Sequence, residues 1–293
     1  MRTKIEPNPP RGSLPRRTPS IVVPRAAPGH RSATWVGHST VLLQLGALNV
    51  LTDPVWGERA SPFRWIGPRR LTPPGLDFDA LPPIDVVLLS HNHYDHLDAP
   101  TVRRIAEQYP DASWLCPLGL EPLLRSLGVS RVAERDWWET ASGAEFEAMC
   151  APARHFSARG LRDRGDTLWC GWTIVADGVR VYFAGDTALH PEFAAIAASA
   201  GPFDLVMLPI GAYEPRWFME SVHMNPEDAI EAYRALTSGS DARPPCMALH
   251  WGTFRLTDEP VQEPPARFAQ RWQAAGFPDQ ANWTLAIGET RRL

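Results

Sequence analysis

Ser90-His91-Asn92-His93-Tyr94-Asp95-His96-Leu97-Asp98 places four metal-ligand side chains, His91, His93, Asp95 and His96, within six residues. Ahead of it, Ile84-Asp85-Val86-Val87-Leu88-Leu89 is a short apolar, β-branched run of the kind that forms a buried strand. Behind it, Asp98-Ala99-Pro100 predicts a helix start, with an acidic cap and proline in the first turn. The histidines are therefore expected on a loop at the C-terminal end of a strand, where α/β sheets place their ligand sites. Neutral imidazoles and carboxylates are the donors that a Zn²⁺-type ion takes. Side chains alternate at a strand end, so His91 and His93 can reach one ion while Asp95 and His96 turn toward a second.

Three more expected strand ends carry a ligand type. His155 follows Ala151-Pro152-Ala153-Arg154, after a strand at 146–151. Asp186 ends the apolar run Tyr182-Phe183-Ala184-Gly185, where Gly185 allows close backbone approach. His250 follows Met247-Ala248-Leu249. Seven such side chains exceed the three or four protein donors of one tetrahedral Zn²⁺. If one carboxylate is shared, seven residues give two ions four protein contacts each, and Asp186 is the natural bridge.

The HxHxDH spacing resembles the signature of the metallo-β-lactamase fold. That resemblance implies an α+β, four-layer αββα sandwich holding two metals: His91, His93 and His155 on one, Asp95, His96 and His250 on the other, Asp186 between. A closer resemblance runs from about residue 33 to 265. Leu51-Thr52-Asp53-Pro54, Ala60-Ser61-Pro62, Phe183-Ala184-Gly185-Asp186-Thr187, Gly201-Pro202-Phe203-Asp204-Leu205, the run from Leu208 through Pro209-Ile210-Gly211-Ala212-Tyr213-Glu214-Pro215-Arg216-Trp217-Phe218 to Met219, and His250-Trp251-Gly252-Thr253-Phe254 resemble the N-acylphosphatidylethanolamine-hydrolysing phospholipases D. It implies a binuclear zinc hydrolase that cleaves a phosphodiester, such as an N-acyl phospholipid, through a metal-bridging hydroxide. By the same resemblance Asp95 is both ligand and catalytic residue, and His223 faces the active site, protonating the leaving group or binding phosphate. Tyr213, Arg216 and Trp217 are expected to line the substrate mouth, and His38, in Gly37-His38-Ser39-Thr40, to support a ligand. His30 and His190 are expected at the surface. Hydrolysis of a lactone, cyclic phosphate or other small ester is the alternative on this site, and the donor set leaves iron or manganese open.

Around these motifs, strands are expected at 33–36, 40–45, 48–52, 114–116, near 132, at 168–175, 179–184, 205–208 and 247–249. Helices are expected at 100–109, 118–127, 192–199, 226–236 and 264–275, and Asp177-Gly178 is a hairpin turn. Asn225-Pro226-Glu227-Asp228 reads as a capped helix start just after His223. Residues 54–83 read as a long loop, interleaving Trp56, Phe63, Trp65 and Ile66 with Arg64, Arg69 and Arg70, which suits a substrate part greasy and part anionic.

Residues 1–32 are a Pro/Arg-rich arm, too poor in apolar residues for a core, and 33–293 form the hydrolase domain. The arm suits contact with anionic lipid or with the second subunit of a homodimer. The formal net charge of −4 argues against nucleic acid as partner. The four cysteines, Cys116, Cys150, Cys170 and Cys246, lie far apart and read as buried thiols of a reducing compartment. No apolar run approaches the ~20 residues of a membrane span. The expected location is cytoplasmic, with peripheral contact at the inner face of the membrane.

Overall fold

The computed structural model describes residues 7–293; residues 1–6 of the expected arm, with Arg2 and Lys4, lie outside the described residues. The first half forms β1 (Arg31–Gly37), β2 (Thr40–Leu45), β3 (Leu48–Thr52), β4 (Val86–Leu88), α1 (Ala99–Gln108), β5 (Ser113–Pro117), α2 (Glu121–Ser126) and β6 (Val132–Arg135). The second forms β7 (Thr140–Ser142), β8 (Phe146–Ala151), β9 (Gly171–Ala176), β10 (Val179–Phe183), α3 (Glu192–Ala200), β11 (Leu205–Pro209), α4 (Arg216–Met219), α5 (Pro226–Leu236), β12 (Cys246–Leu249), α6 (Glu263–Ala274), β13 (Asn282–Trp283) and β14 (Thr290–Arg292). Among the described residues these make two seven-stranded sheets, ordered β14-β1-β2-β3-β4-β5-β6 and β13-β12-β11-β10-β9-β8-β7.

The period-2 alternation of β2 shows how the layers form. Val41, Leu43 and Leu45 enter the core between the sheets, with Trp172 and Ile174 of β9 and Val181 of β10. Leu42 turns the other way, joining Val102 and Ile105 of α1 and Leu124 of α2. Beyond the second sheet, Phe193 of α3, Tyr233 of α5 and Trp272 of α6 extend the main core. The result is the expected αββα sandwich. Trp172 is fully buried, and its truncation to alanine costs about 3–5 kcal/mol.

Strand direction decides where the site lies. β3, β4, β5 and β6 are parallel, and β1 runs the same way because β2 is antiparallel to both β1 and β3. In the other sheet β10, β11 and β12 are parallel, and β8 shares their direction through antiparallel β9. The C-terminal ends of β1, β3 and β4, and of β8, β10 and β12, thus open onto one edge of the sandwich each. The Asp177-Gly178 turn has φ of 48° and 73°, as a two-residue hairpin of right-twisted strands demands.

Some expectations are corrected. β7, β13, β14 and α4 had no sequence signal, because two to four residues carry no readable period. β14 reaches across the chain to pair with β1 at Ser32, Ala33 and Thr34. The 54–83 loop is tied down: Trp56 donates to Leu76 O at 2.8 Å and meets the Phe78 ring edge-on. Arg70 is 3% exposed, donating to the carbonyls of Val55 and Gly57. Those two face inward, whereas Phe63, Trp65 and Ile66 face solvent. His190 is buried, not superficial, stacked on Phe193 at 3.9 Å. Asp98 precedes α1 as expected, but its carboxylate takes Gly57 N–H and the Thr101 hydroxyl instead of a helix amide.

Residues 7–30 lie along the domain. Leu14 and Ala26 are buried, Arg25 pairs with Asp85, and Val22 N–H donates to Gln44 Oε1 at 2.8 Å. All four cysteines are buried free thiols. Among the described residues no helix is long and apolar enough to cross a membrane.

Candidate metal centre

The strand ends bring all seven expected ligand side chains together. His91 Nε2 faces His93 Nδ1 at 2.8 Å, and His93 Nδ1 faces His155 Nε2 at 3.2 Å. Asp186 Oδ2 lies 3.0 Å from His250 Nε2, 3.1 Å from His96 Nε2 and 3.9 Å from His155 Nε2. Asp95 Oδ2 lies 3.4 Å from both His96 Nε2 and His250 Nε2. The donors form a three-histidine group and a second group of His38, Asp95, His96 and His250, each with its ligand atoms within 4.8 Å. Asp186 reaches both.

The outer nitrogens of several histidines are already committed. His155 Nδ1–H donates to Val222 O at 2.9 Å. His96 Nδ1–H donates to Asp53 Oδ2 at 2.7 Å. His91 Nδ1–H donates to the Ser90 hydroxyl at 2.9 Å, and that hydroxyl donates to Asp53 Oδ2 at 2.6 Å. Each of these rings is thereby held in the tautomer whose Nε2 lone pair points inward. Lone pairs facing lone pairs need a cation between them. Among the described residues, the buried His96 Nε2, His250 Nε2 and Asp186 Oδ1 have no well-aligned hydrogen-bond partner. This donor set fits metal ions.

Asp53 was not among the sequence candidates, although it sits in the Thr52-Asp53-Pro54 run at the end of β3. It is fully buried, at φ 30°, with Ser90 N–H on its other oxygen at 2.8 Å. An aspartate between a strand and a proline was its only signal. His38 reaches a candidate ligand: its Nε2–H donates to Asp95 Oδ2 at 2.8 Å. Its backbone is fixed at φ 55° by Thr253 Oγ1, Trp35 Nε1 and His250 N–H. Gly185 meets its expected role, since a Cβ there would lie 2.5 Å from Ser90 Cβ.

The charges are complementary. Burial pushes the Asp95 and Asp186 carboxyls up, but His96 beside Asp95, and His250 and His96 beside Asp186, hold both well below the usual carboxylate range. Burial pushes His91 and His155 well down, and His38 to about 3. Burial also opposes charge on His250, yet Asp186 and Asp95 raise it to about 9. The two carboxylates call for positive charge at the centre, which bound metal supplies.

His223 stands beside this cluster, its Nδ1 4.0 Å from Asp186 Oδ2 and its ring 4.9 Å from that of His155. Its segment is anchored on both sides. His223 N–H donates to Met219 O, Met224 N–H to Thr187 O, and Val222 O takes His155. The helix behind it has the expected cap, closed as a capping box between Asn225 and Asp228. Arg216 donates to His223 O at 2.8 Å and pairs with Asp228, so it braces this segment. Tyr213 is fully buried with its hydroxyl on Glu263 Oε1 at 2.8 Å, which sets it behind the site and not at a mouth. Trp217 is 78% exposed and Phe218 beside it 62%.

Residues 48–251 match the model of the β-lactamase superfamily domain. An N-acyl-phosphatidylethanolamine-hydrolyzing phospholipase D 1 of Caenorhabditis elegans is 39% identical over 88% of this chain and 74% of its own length. The mitochondrial N-acyl-phosphatidylethanolamine-hydrolyzing phospholipase D of Saccharomyces cerevisiae is 30% identical over 88% of this chain and 55% of its own. Among solved structures, Igni18, a metallo hydrolase of Ignicoccus hospitalis, aligns with a TM-score of 0.66 at 22% identity, covering 90% of this chain and 98% of its own. With a buried His/Asp cluster able to hold metal at the shared edge of its two sheets, the chain belongs to the β-lactamase superfamily and is a metal-dependent hydrolase of the metallo-β-lactamase fold.

Proposed function

We propose that this hydrolase cleaves a phosphodiester, with a phospholipid of the N-acylphosphatidylethanolamine type as substrate and a phospholipase D type of cleavage. The observation that carries the reading is the placement of Asp186 between two donor groups, which suits a pair of ions. His91, His93 and His155 would hold one ion, Asp95, His96 and His250 the other, and Asp186 both. Two such ions, zinc in this reading, would supply an acidified water and a clamp for phosphoryl oxygens.

The chain's own groups do the rest. His38 holds one oxygen of Asp95, which keeps the carboxylate oriented for a proton on its free lone pairs. His223 presents a buried imidazole beside Asp186. Burial lowers it to about 4, so it is neutral near pH 7 and offers an N–H to a phosphoryl oxygen. Arg216 and the Asn225 cap position it. Exposed apolar side chains lie on three segments: Phe63, Trp65 and Ile66 in the 54–83 loop; Leu161 after His155; and Trp217 with Phe218 on α4, just before His223. Aromatic side chains around a site entrance favour a peripheral contact with lipid.

The test is product release from a phospholipid panel by metal-loaded protein, beside bis(nitrophenyl) phosphate and a lactone, with a metal-stripped control. Metal-dependent release of phosphatidic acid is the expected result. Turnover of the lactone alone would replace this reading with the small-ester one. Elemental analysis of the purified protein identifies the metal.

A further inference from the structure

Beside the metal-ligand loop lies a second cleft of about 710 Å³, lined by Arg59, Arg64, Arg103 and Arg159 together with Ser61 and Tyr94. None of the candidate ligands lines it. Four guanidinium groups in one concavity are costly unless something negative meets them. Among the described residues, none of the four has an acidic partner within ion-pair distance. Arg59 donates to the carbonyls of Arg64 and Gly67, and Arg159 to those of Asn92 and Leu97. Among the described residues, Arg64 and Arg103 make no side-chain hydrogen bond or ion pair.

Two acids, Glu58 and Asp98, also line the cleft, and both have other partners. Glu58 pairs with Arg69 and Arg11, and Asp98 accepts from Gly57 N–H and Thr101. Arg159 is lowered from its ordinary value by burial, which marks a charge held with little water around it. It is also fixed, with its guanidinium 4.0 Å over the Tyr94 ring and the Tyr94 hydroxyl on its own carbonyl. Among the described residues, four arginines thus outnumber the two carboxylates that line the cleft, and none of the four is ion-paired.

We propose that this cleft is a second anion site, apart from the metals, that takes a phosphate-type group. Arginine matches that chemistry through bidentate N–H pairs. The two sources are inorganic phosphate and the headgroup of an anionic lipid; Phe63, half-exposed at the rim, adjoins the cleft either way.

The double variant Arg64→Gln, Arg103→Gln tests this on the metal-loaded full chain. Metal content and melting temperature serve as the folding control, and Arg103→Lys, which keeps the positive charge at that position, is a second variant. In calorimetry with inorganic phosphate, the wild type should show, besides binding at the metals, a further event that the double variant weakens roughly tenfold and Arg103→Lys weakens less. In sedimentation with phosphatidylcholine vesicles, adding phosphatidic acid should raise wild-type binding, and the double variant should lose that increment. Loss in both arms, or in the lipid arm alone, assigns the site to a headgroup; loss in the phosphate arm alone assigns it to free phosphate. Wild-type behaviour of a folded, metal-loaded double variant in both arms overturns the proposal. Failure of the phosphodiesterase reading would appear separately, as wild-type inactivity on bis(nitrophenyl) phosphate.

Discussion

Asp53 Oδ2 lies 2.7 Å from His96 Nδ1 and 2.6 Å from the Ser90 hydroxyl, which in turn accepts from His91. One carboxylate thereby orients a histidine of each donor group. Asp53→Ala should strand the Ser90 and His96 protons and let both rings turn. Metal affinity should fall about 10- to 100-fold, read by chelator competition. His38→Ala acts through Asp95 alone, so its larger effect should be on the ion of the second group. Equal affinity in wild type and Asp53→Ala would remove Asp53 from the site's support.

The number of ions per chain is a direct measurement. Elemental analysis of the metal-loaded protein should give two. Asp186→Ala should lower both occupancies, because its carboxylate reaches both groups, and His155→Ala should mainly lower one. A single ion in the wild type, or full occupancy without Asp186, contradicts the shared arrangement.

His223→Ala should leave both ions and the fold in place, since the proposed ligand sets are complete without it. If it steadies phosphate in the ground state, KM rises with kcat little changed. If it protonates the leaving oxygen, kcat falls by roughly 10²–10⁴, and less for a nitrophenol ester, whose leaving group needs little help. Its lowered pKa favours the first outcome. Unchanged kinetics on both substrates would place the residue outside the chemistry.

Acid and alkali should both destabilise the metal-stripped protein, through different histidines. Burial lowers His38 to about 3 and His223 to about 4. Their unfolded forms bind protons from about 6.5 downward, so stability is lost as pH falls from there toward the folded values. His250, raised to about 9 by Asp186 and Asp95 against burial, contributes stability that is present below about 6.5 and lost as pH rises through 9. Melting temperature in chelator should therefore decline on both sides of neutrality. Restored metal should flatten the alkaline side, because bound histidines are neutral already.

The exposed aromatics give a surface test. Replacing Trp65 and Trp217, 77% and 78% exposed, by serine should weaken sedimentation with vesicles and leave turnover of bis(nitrophenyl) phosphate intact. Equal loss on the soluble diester would mean that these rings shape the site itself.

The strands and the strand ends that bear ligands were legible in the chain, and the two-sheet sandwich was implied by its resemblance to the metallo-β-lactamase fold. Apolar runs such as Val41 to Leu45 mark strands buried on both faces, and HxHxDH after an apolar run fixes a loop of donors, both local patterns. The cap at Asn225 and the turn at Asp177-Gly178 were legible for the same reason. Only the tertiary structure decided the rest. Asp53 has a role because β3 ends beside β4, and no spacing in the sequence records that neighbour. Tyr213 and Arg216 share one short run, yet the run's path buries the first against α6 and ties the second to α5. Of the aromatics and arginines in the 54–83 loop, Trp56 and Arg70 turn inward and Phe63 and Trp65 outward. A loop without a period leaves that choice to its contacts, which come from residues distant in the chain.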